Sequence, residues 1–365
     1  MTYKEVDVEN KLNTRLLWLD ALKGFAILTV VYLHVHNGYE YDGTFDGEIV
    51  KWFTSFHMAL FFVTAGFCFS YEVSNYKQKI LRKLKSLMVP YLVWGIIIGF
   101  FVENIRVIIH PQSFDALGMI FPIITGKTSY LAGWFLLVLF LVYMLEYLVS
   151  TFYNGKDLVL VGVHALCGIA GYFMNDMGGY YRIRLVLISS TFFVLGYFLK
   201  KYWHKVNGKP IAISTILFLI LGIFLELKNT RVTYSKEIFG NPSLAFSSAV
   251  FTIVALFDIF FRMESVLKNC AGRMFLKGLC FFGENSIVVL CTHLLFLYGI
   301  RALEKVLGMQ IHTFPVCGSF FIIVIAEVIL IKLMPRVYLK TQNCTKRQEK
   351  DIKGFYHRQY KEVIA

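Results

Sequence analysis

Charge is what this chain has least of. Asp, Glu, Lys and Arg make up 17% of its 365 residues, where a soluble domain carries about a quarter, and the shortage excludes water as the main solvent of the fold. The seven cysteines (Cys68, Cys167, Cys270, Cys280, Cys291, Cys317, Cys344) are odd in number and show no C-x-x-C spacing. A disulfide frame and a zinc site are therefore not expected, and these residues read as buried packing positions. No stretch rich in Pro, Gly or Ser marks a linker, and no charged low-complexity block interrupts the chain. An H-E-x-x-H helix, a Walker A loop and a G-x-S-x-G elbow are all missing, and neither a metal nor a resident cofactor is expected. The formal charge of +13 invites a nucleic-acid reading, but the basic residues sit at the edges of apolar runs, so no nucleic acid is expected as a partner.

Apolar runs are what the chain has in excess: 57% of residues are hydrophobic and 17% aromatic. About twenty residues of helix, rising about 1.5 Å each, cross the roughly 30 Å of hydrocarbon in a bilayer. Ten segments approach that length, at 20–38, 52–72, 87–109, 132–152, 158–174, 185–201, 210–227, 244–262, 284–301 and 313–334. Lipid offers no partners to a bare backbone, so each is expected to be helical and the fold class all-α, a polytopic membrane protein. With the N-terminus inside, 27 of the 37 Lys and Arg fall on one side, which predicts cytoplasmic termini in a cell membrane, plasma or bacterial inner. The organisation expected is a cytoplasmic segment 1–19, a membrane domain 20–334 and a basic tail 335–365 lying against the inner leaflet. The first span, preceded by polar residues, reads as an anchor and not as a cleaved signal.

Any chemistry then has to sit inside the helix bundle, where ionisable residues are costly and each is a candidate for function. The first span holds the densest set. Lys23 and His34 are eleven positions apart, which at about 100° per residue returns to within about 20° of one face after three turns. Asp20 stands three residues before Lys23, within pairing reach. One stripe thus carries a carboxylate, an ammonium and an imidazole, the last about 16 Å further along the axis. Asp20 and Lys23 are equally readable as an interfacial pair, with Lys23 snorkelling to the headgroups.

The segment LDALKGFAILTVVYLH resembles the opening helix of the membrane acyltransferase 3 family, whose hallmark is a basic residue, ten intervening positions and a histidine. Pieces similar to the family follow in order: FHMALFFVTAGF at 56–67, RKLKSLMVPYLVW at 82–94, GWFLLVLFLVY at 133–143, FFVLGYFLKK at 192–201 and FGENSIVVLCTHLLF at 282–296. The resemblance implies transfer of an acyl group, usually acetyl from acetyl-CoA, to a hydroxyl of a surface carbohydrate or lipid-linked sugar. It implies His34 as the essential histidine, as general base or transient acyl carrier, and Lys23 as its basic partner. Two departures stand out. The family's serine before the glycine of the second span is here Ala65, beside Thr64, and its cytoplasmic Arg-x-x-Arg becomes Arg82 and Lys85, which loses one guanidinium.

Coenzyme A carries phosphates, and Arg82, Lys83 and Lys85 with Lys23 form an expected anion funnel on the inner side, unless the positive-inside bias alone explains them. The acyl-CoA thioester is expected as donor substrate, its pantetheine arm comparable in length to the rise from Lys23 to His34. Acceptor contacts are assigned to His57, Glu103, Arg106, Trp134 and His293, although polar packing between helices is the more expected use of His293. The alternative from another class is an exporter of a lipid-linked oligosaccharide or a small polar solute, with the charges of the first helix lining a pathway.

Overall fold

The computed structural model describes residues 16–36, 45–72, 75–109, 115–126, 133–174, 180–206, 213–230, 232–267, 269–309 and 315–334. Its helices are α1 Leu17–His36, α2 Phe45–Phe67, α3 Tyr76–Lys83, α4 Val89–Ile109, α5 Ala116–Thr125, α6 Trp134–Phe152, α7 Asp157–Phe173, α8 Ile183–Val206, α9 Ile213–Leu227, α10 Pro242–Val266, α11 Cys270–Glu284, α12 Ser286–Val306 and α13 Val316–Leu333. No strand occurs among the described residues; a lone antiparallel bridge pairs Thr233 with Ile238. The fold is all-α, and the chain is a multi-pass membrane protein. Segments 1–15 and 335–365, including the expected basic tail and Cys344, lie outside the described residues.

All ten expected spans coincide with helices, and among the described residues eight stretches are long and apolar enough to cross a bilayer. The other two, α7 and α9, have 17 and 15 residues, short of the usual twenty. Three helices were not expected, the first being α3, which lies between the expected spans 52–72 and 87–109. Residues 110–131 contain α5, and residues 263–283, read as a non-spanning piece, contain α11. Asn269 caps α11 by accepting from the Gly272 amide at 2.7 Å. Its buried positions Gly272, Leu276, Leu279, Cys280 and Gly283 recur at helical spacing, while Arg273 and Lys277 are exposed. Such a stripe docks a helix onto a neighbour without requiring it to cross the membrane.

That neighbour is α1, which is central: α2, α10, α11, α12 and α13 all pack against it. Lipid supplies no hydrophobic drive between helices, so close packing has to hold them. At Gly24 and Gly283, α1 and α11 meet backbone to backbone: a Cβ on Gly24 would collide with the Leu279 carbonyl, and one on Gly283 with the Asp20 carbonyl. Gly66 of α2 and Gly196 of α8 form a second crossing of this kind. Trp18 locks the start of α1 edge-on against Phe67, Phe257 and Phe261, with ring centroids 5.5–5.8 Å away. Such aromatic pairs contribute about 0.5–1.5 kcal/mol each.

Between α3 and α4 the helix widens into a π-turn, Leu84–Met88. Pro90 follows, and a proline removes the amide that would bond four residues back. The wider turn absorbs that loss. It also separates the basic helix α3 from the apolar helix α4. The cysteines depart in part from their expected burial: Cys280 and Cys291 are buried, whereas Cys270 and Cys317 are exposed, and all six described cysteines are free thiols.

Candidate active site

The site is built on the two ends of α1. At the C-terminal end His34 is partly buried, and its Nδ1 lies 2.9 Å from the Val30 carbonyl. A carbonyl only accepts, so Nδ1 carries the proton and Nε2 keeps its lone pair. His293 of α12, buried, repeats the arrangement with its Nδ1 2.7 Å from the Val289 carbonyl. Its Nε2 lies 3.4 Å from His34 Nδ1, positioned to accept from it, with the rings crossing edge to face at 4.9 Å. His57 of α2 has its Nδ1 3.0 Å from the Phe53 carbonyl and interacts electrostatically with His34. Two imidazoles therefore meet and a third stands within electrostatic reach, each with its tautomer fixed by a carbonyl one turn earlier on its own helix. Among the described residues, no protein partner engages Nε2 of His34.

His293 is held from behind as well. Thr292, its neighbour, bonds with its hydroxyl to Glu327 of α13, 2.7 and 2.9 Å from the two carboxylate oxygens. Glu327, which has no evident partner in sequence, thus fixes α13 to α12 beside the histidine pair.

At the N-terminal end Lys23 bonds Asp20 at 2.9 Å, the carboxylate almost fully buried and the ammonium partly open. Lys23, Lys83 of α3 and Lys200 of α8 all act electrostatically on the thiol of Cys68, which directly follows α2. Lys83 Nζ sits 3.6 Å from the centroid of the Tyr143 ring, a cation–π contact, and Arg82 acts electrostatically on the neighbouring Tyr147. Lys200 is buried and donates to the Phe69 carbonyl at 3.4 Å, at the negative end of α2. Lys85, in the π-turn, is exposed. Three ammonium groups from three helices converge here, about three helical turns from His34 along α1.

The other expected residues divide. Glu103 is buried and accepts from the Asp115 amide at 3.3 Å, which ties the end of α4 to the start of α5. The side chain of Arg106 lies outside the described residues. Trp134, buried at the start of α6, is overlaid by the Arg182 guanidinium at 5.6 Å. Thr64, beside Ala65, is buried and spends its hydroxyl on the Phe61 carbonyl at 2.9 Å. Among the described residues, no group of three or more His, Cys, Asp or Glu is arranged to hold a metal.

Several polar residues of the bundle went unread in the sequence. Lys200 counts there only as one more basic residue at a span edge. Glu146 and His164 are fully buried, with His164 Nε2 3.0 Å from the carboxylate and Tyr71 donating to it at 2.6 Å. Both are ionisable residues in mid-span, the signal that singled out His34. Tyr234, from the loop between α9 and α10, lies edge-on to His57 at 6.2 Å and donates to the Ser55 carbonyl at 3.2 Å.

The acyltransferase 3 family, whose model describes an acyltransferase domain, matches residues 16–331 of the chain. No curated protein and no solved structure matches it significantly. The matched region begins just before α1 and ends within α13, so it takes in both ends of the site: the chain belongs to the acyltransferase 3 family and is a membrane-embedded acyltransferase.

Proposed function

We propose that the chain moves an acyl group, acetyl in the simplest case, from a coenzyme A thioester to a hydroxyl of a surface carbohydrate or lipid-linked sugar, with His34 as general base. The observation that carries this reading is the pairing of a bare imidazole Nε2 at one end of α1 with a three-lysine cluster at the other. Coenzyme A is a cytosolic polyanion, and Lys23, Lys83 and Lys200, with Arg82 beside them, supply the charge its phosphates require. Lys200 takes the place in this funnel that the sequence assigned to Lys85. The pantetheine arm then runs along α1 and presents the thioester to His34.

In the transfer step His34 Nε2 takes the proton of the acceptor hydroxyl as the oxygen adds to the thioester carbonyl carbon. The tetrahedral intermediate expels the coenzyme A sulfur as the C–S bond breaks, and the thiolate recovers the proton from the imidazolium. The Val30 carbonyl and His293 hold the ring in one orientation throughout, and the carbonyl stabilises the transient positive charge. His57 lies on the acceptor side. Asp20 keeps Lys23 charged and aligned.

Purified protein in lipid nanodiscs, given labelled acetyl-CoA and a panel of glycans, tests the reading. Label appearing in an alkali-labile ester on the sugar, and disappearing in His34→Ala, is the expected result. A parent protein that neither binds coenzyme A nor releases its thiol, yet moves a solute across a vesicle membrane, would establish the transporter alternative instead. An acylated imidazole trapped by acid quench would reassign His34 from base to carrier.

A further inference from the structure

Away from His34 and His293, α7, α8 and α10 enclose a groove of about 580 Å³. Its walls are overwhelmingly apolar, among them Val161, Ile169, Ile188, Leu195 and Phe246. Val161, Ile169 and Phe246 are well exposed, so the groove opens on the outer face of the bundle. It follows α8 from Arg184 to Phe198, fourteen residues or about 21 Å of helix. That is more than half of the roughly 30 Å hydrocarbon layer.

Its two ends differ in chemistry. Toward the Phe198 end the lining is hydrocarbon apart from His164, whose Nε2 is already engaged by Glu146 at 3.0 Å. At the other end stand Arg184, Ser243 and Tyr234. Arg184 donates to the Gly171 and Glu237 carbonyls at 3.1 and 2.9 Å. Carbonyls orient a guanidinium without neutralising it, and no carboxylate pairs with Arg184 among the described residues, which leaves its charge available to an anion. Tyr234 belongs to two places at once: it lines the groove, and its ring lies edge-on to His57. The polar end of the groove is thus one side chain away from the histidine cluster.

We infer that the acceptor is a glycolipid whose hydrocarbon chain lies in the α7–α8–α10 groove, with a linking phosphate at Arg184 and the sugar passing Tyr234 toward His57 and His34. A long apolar slot with one cationic end fits a chain, a phosphate and a polar head in that order. A water-soluble glycan would use neither the slot nor the arginine. The inference rests on the acyl-transfer reading for its direction, since the sugar is the part delivered to the histidines.

The test uses N-acetylglucosamine joined through phosphate to a hexadecyl chain with a terminal diazirine, photolysed with the full-length protein in nanodiscs and mapped by mass spectrometry. The expected label falls on peptides of α7 and α8 that line the groove. Ala165→Trp, which fills the groove from an exposed position, should cut labelling at least fivefold. Arg184→Gln should cut it severalfold, and Arg184→Lys should restore most of it. Acetyl-CoA binding should be unchanged in Ala165→Trp. Label spread evenly over the exposed apolar helices, or a diazirine phospholipid that labels the groove equally and is not displaced by the glycophospholipid, would overturn the inference. Groove labelling in a protein that binds no acyl-CoA would leave the groove assignment standing and remove the transfer reading. Transfer that is indifferent to the presence of the chain and its phosphate would do the reverse.

Discussion

The two ends of α1 are held in different ways, and the difference matches what each end is asked to do. Around Asp20 and Lys23 the helix is clamped by main chain, Gly24 and Gly283 bringing α1 and α11 into backbone contact, and by Trp18 wedged among three phenylalanines. Around His34 no glycine crossing intervenes among the described residues, and the histidines are placed by hydrogen bonds: a carbonyl on each Nδ1, the His34–His293 contact, and the Thr292–Glu327 pair behind. An anion-binding end can be a fixed cradle. A proton-transferring end needs one ring at one angle with one nitrogen exposed.

Breaking the clamp should have the largest effect, because it seats the helix that carries both ends. Gly283→Leu forces a branched side chain into the Asp20 carbonyl, and the expected outcome is loss of folded protein, read as yield of monodisperse material after detergent extraction. His34→Ala should spare that yield and reduce acyl transfer by about 10²- to 10⁴-fold, the usual range for a lost general base, measured as initial rate at saturating acyl-CoA.

Smaller effects separate the ends further. Lys83→Ala and Lys200→Ala should each raise KM for acyl-CoA about tenfold, with kcat changed by less than threefold and with a shallower dependence on salt. A drop in kcat at constant KM would show that the lysines serve the chemistry and not the anion. His293→Gln, whose amide can still meet His34, should cost about tenfold in kcat, and His293→Phe more, because the phenyl ring keeps the shape and loses the acceptor. Lys85→Ala, at an exposed position, should stay within about twofold of the parent in both constants; a tenfold rise in KM would restore Lys85 to the funnel.

How much of this was legible beforehand depended on whether the signal was local. The stripe Asp20–Lys23–His34 lies within one helix, and helical geometry alone puts it on one face. The ten spans were equally readable, since run length and hydropathy are properties of contiguous residues. What stayed hidden was contact between helices. Glu327 has no partner in its own span, and only the packing of α13 on α12 brings Thr292 to it. Lys200 and Lys85 both look like basic residues at a membrane edge; the crossing of α2 and α8 at Gly66 and Gly196 buries the first beside Phe69, while the π-turn before Pro90 leaves the second exposed. Helix α11 escaped because 15 residues are too few to span, although its stripe from Gly272 to Gly283 was visible at helical spacing. Tyr234 lies in a loop, where no periodicity announces a role.

The central claim is that binding and chemistry are housed at opposite ends of one helix. Equilibrium binding of acetyl-CoA to the purified His34→Ala protein, measured calorimetrically beside the parent and Lys83→Ala, tests it most directly. The account predicts that His34→Ala binds the donor within about twofold of the parent while its transfer activity is lost, and that Lys83→Ala binds about tenfold more weakly. Donor binding lost in His34→Ala to the same degree as in Lys83→Ala, with the protein still folded, would contradict it.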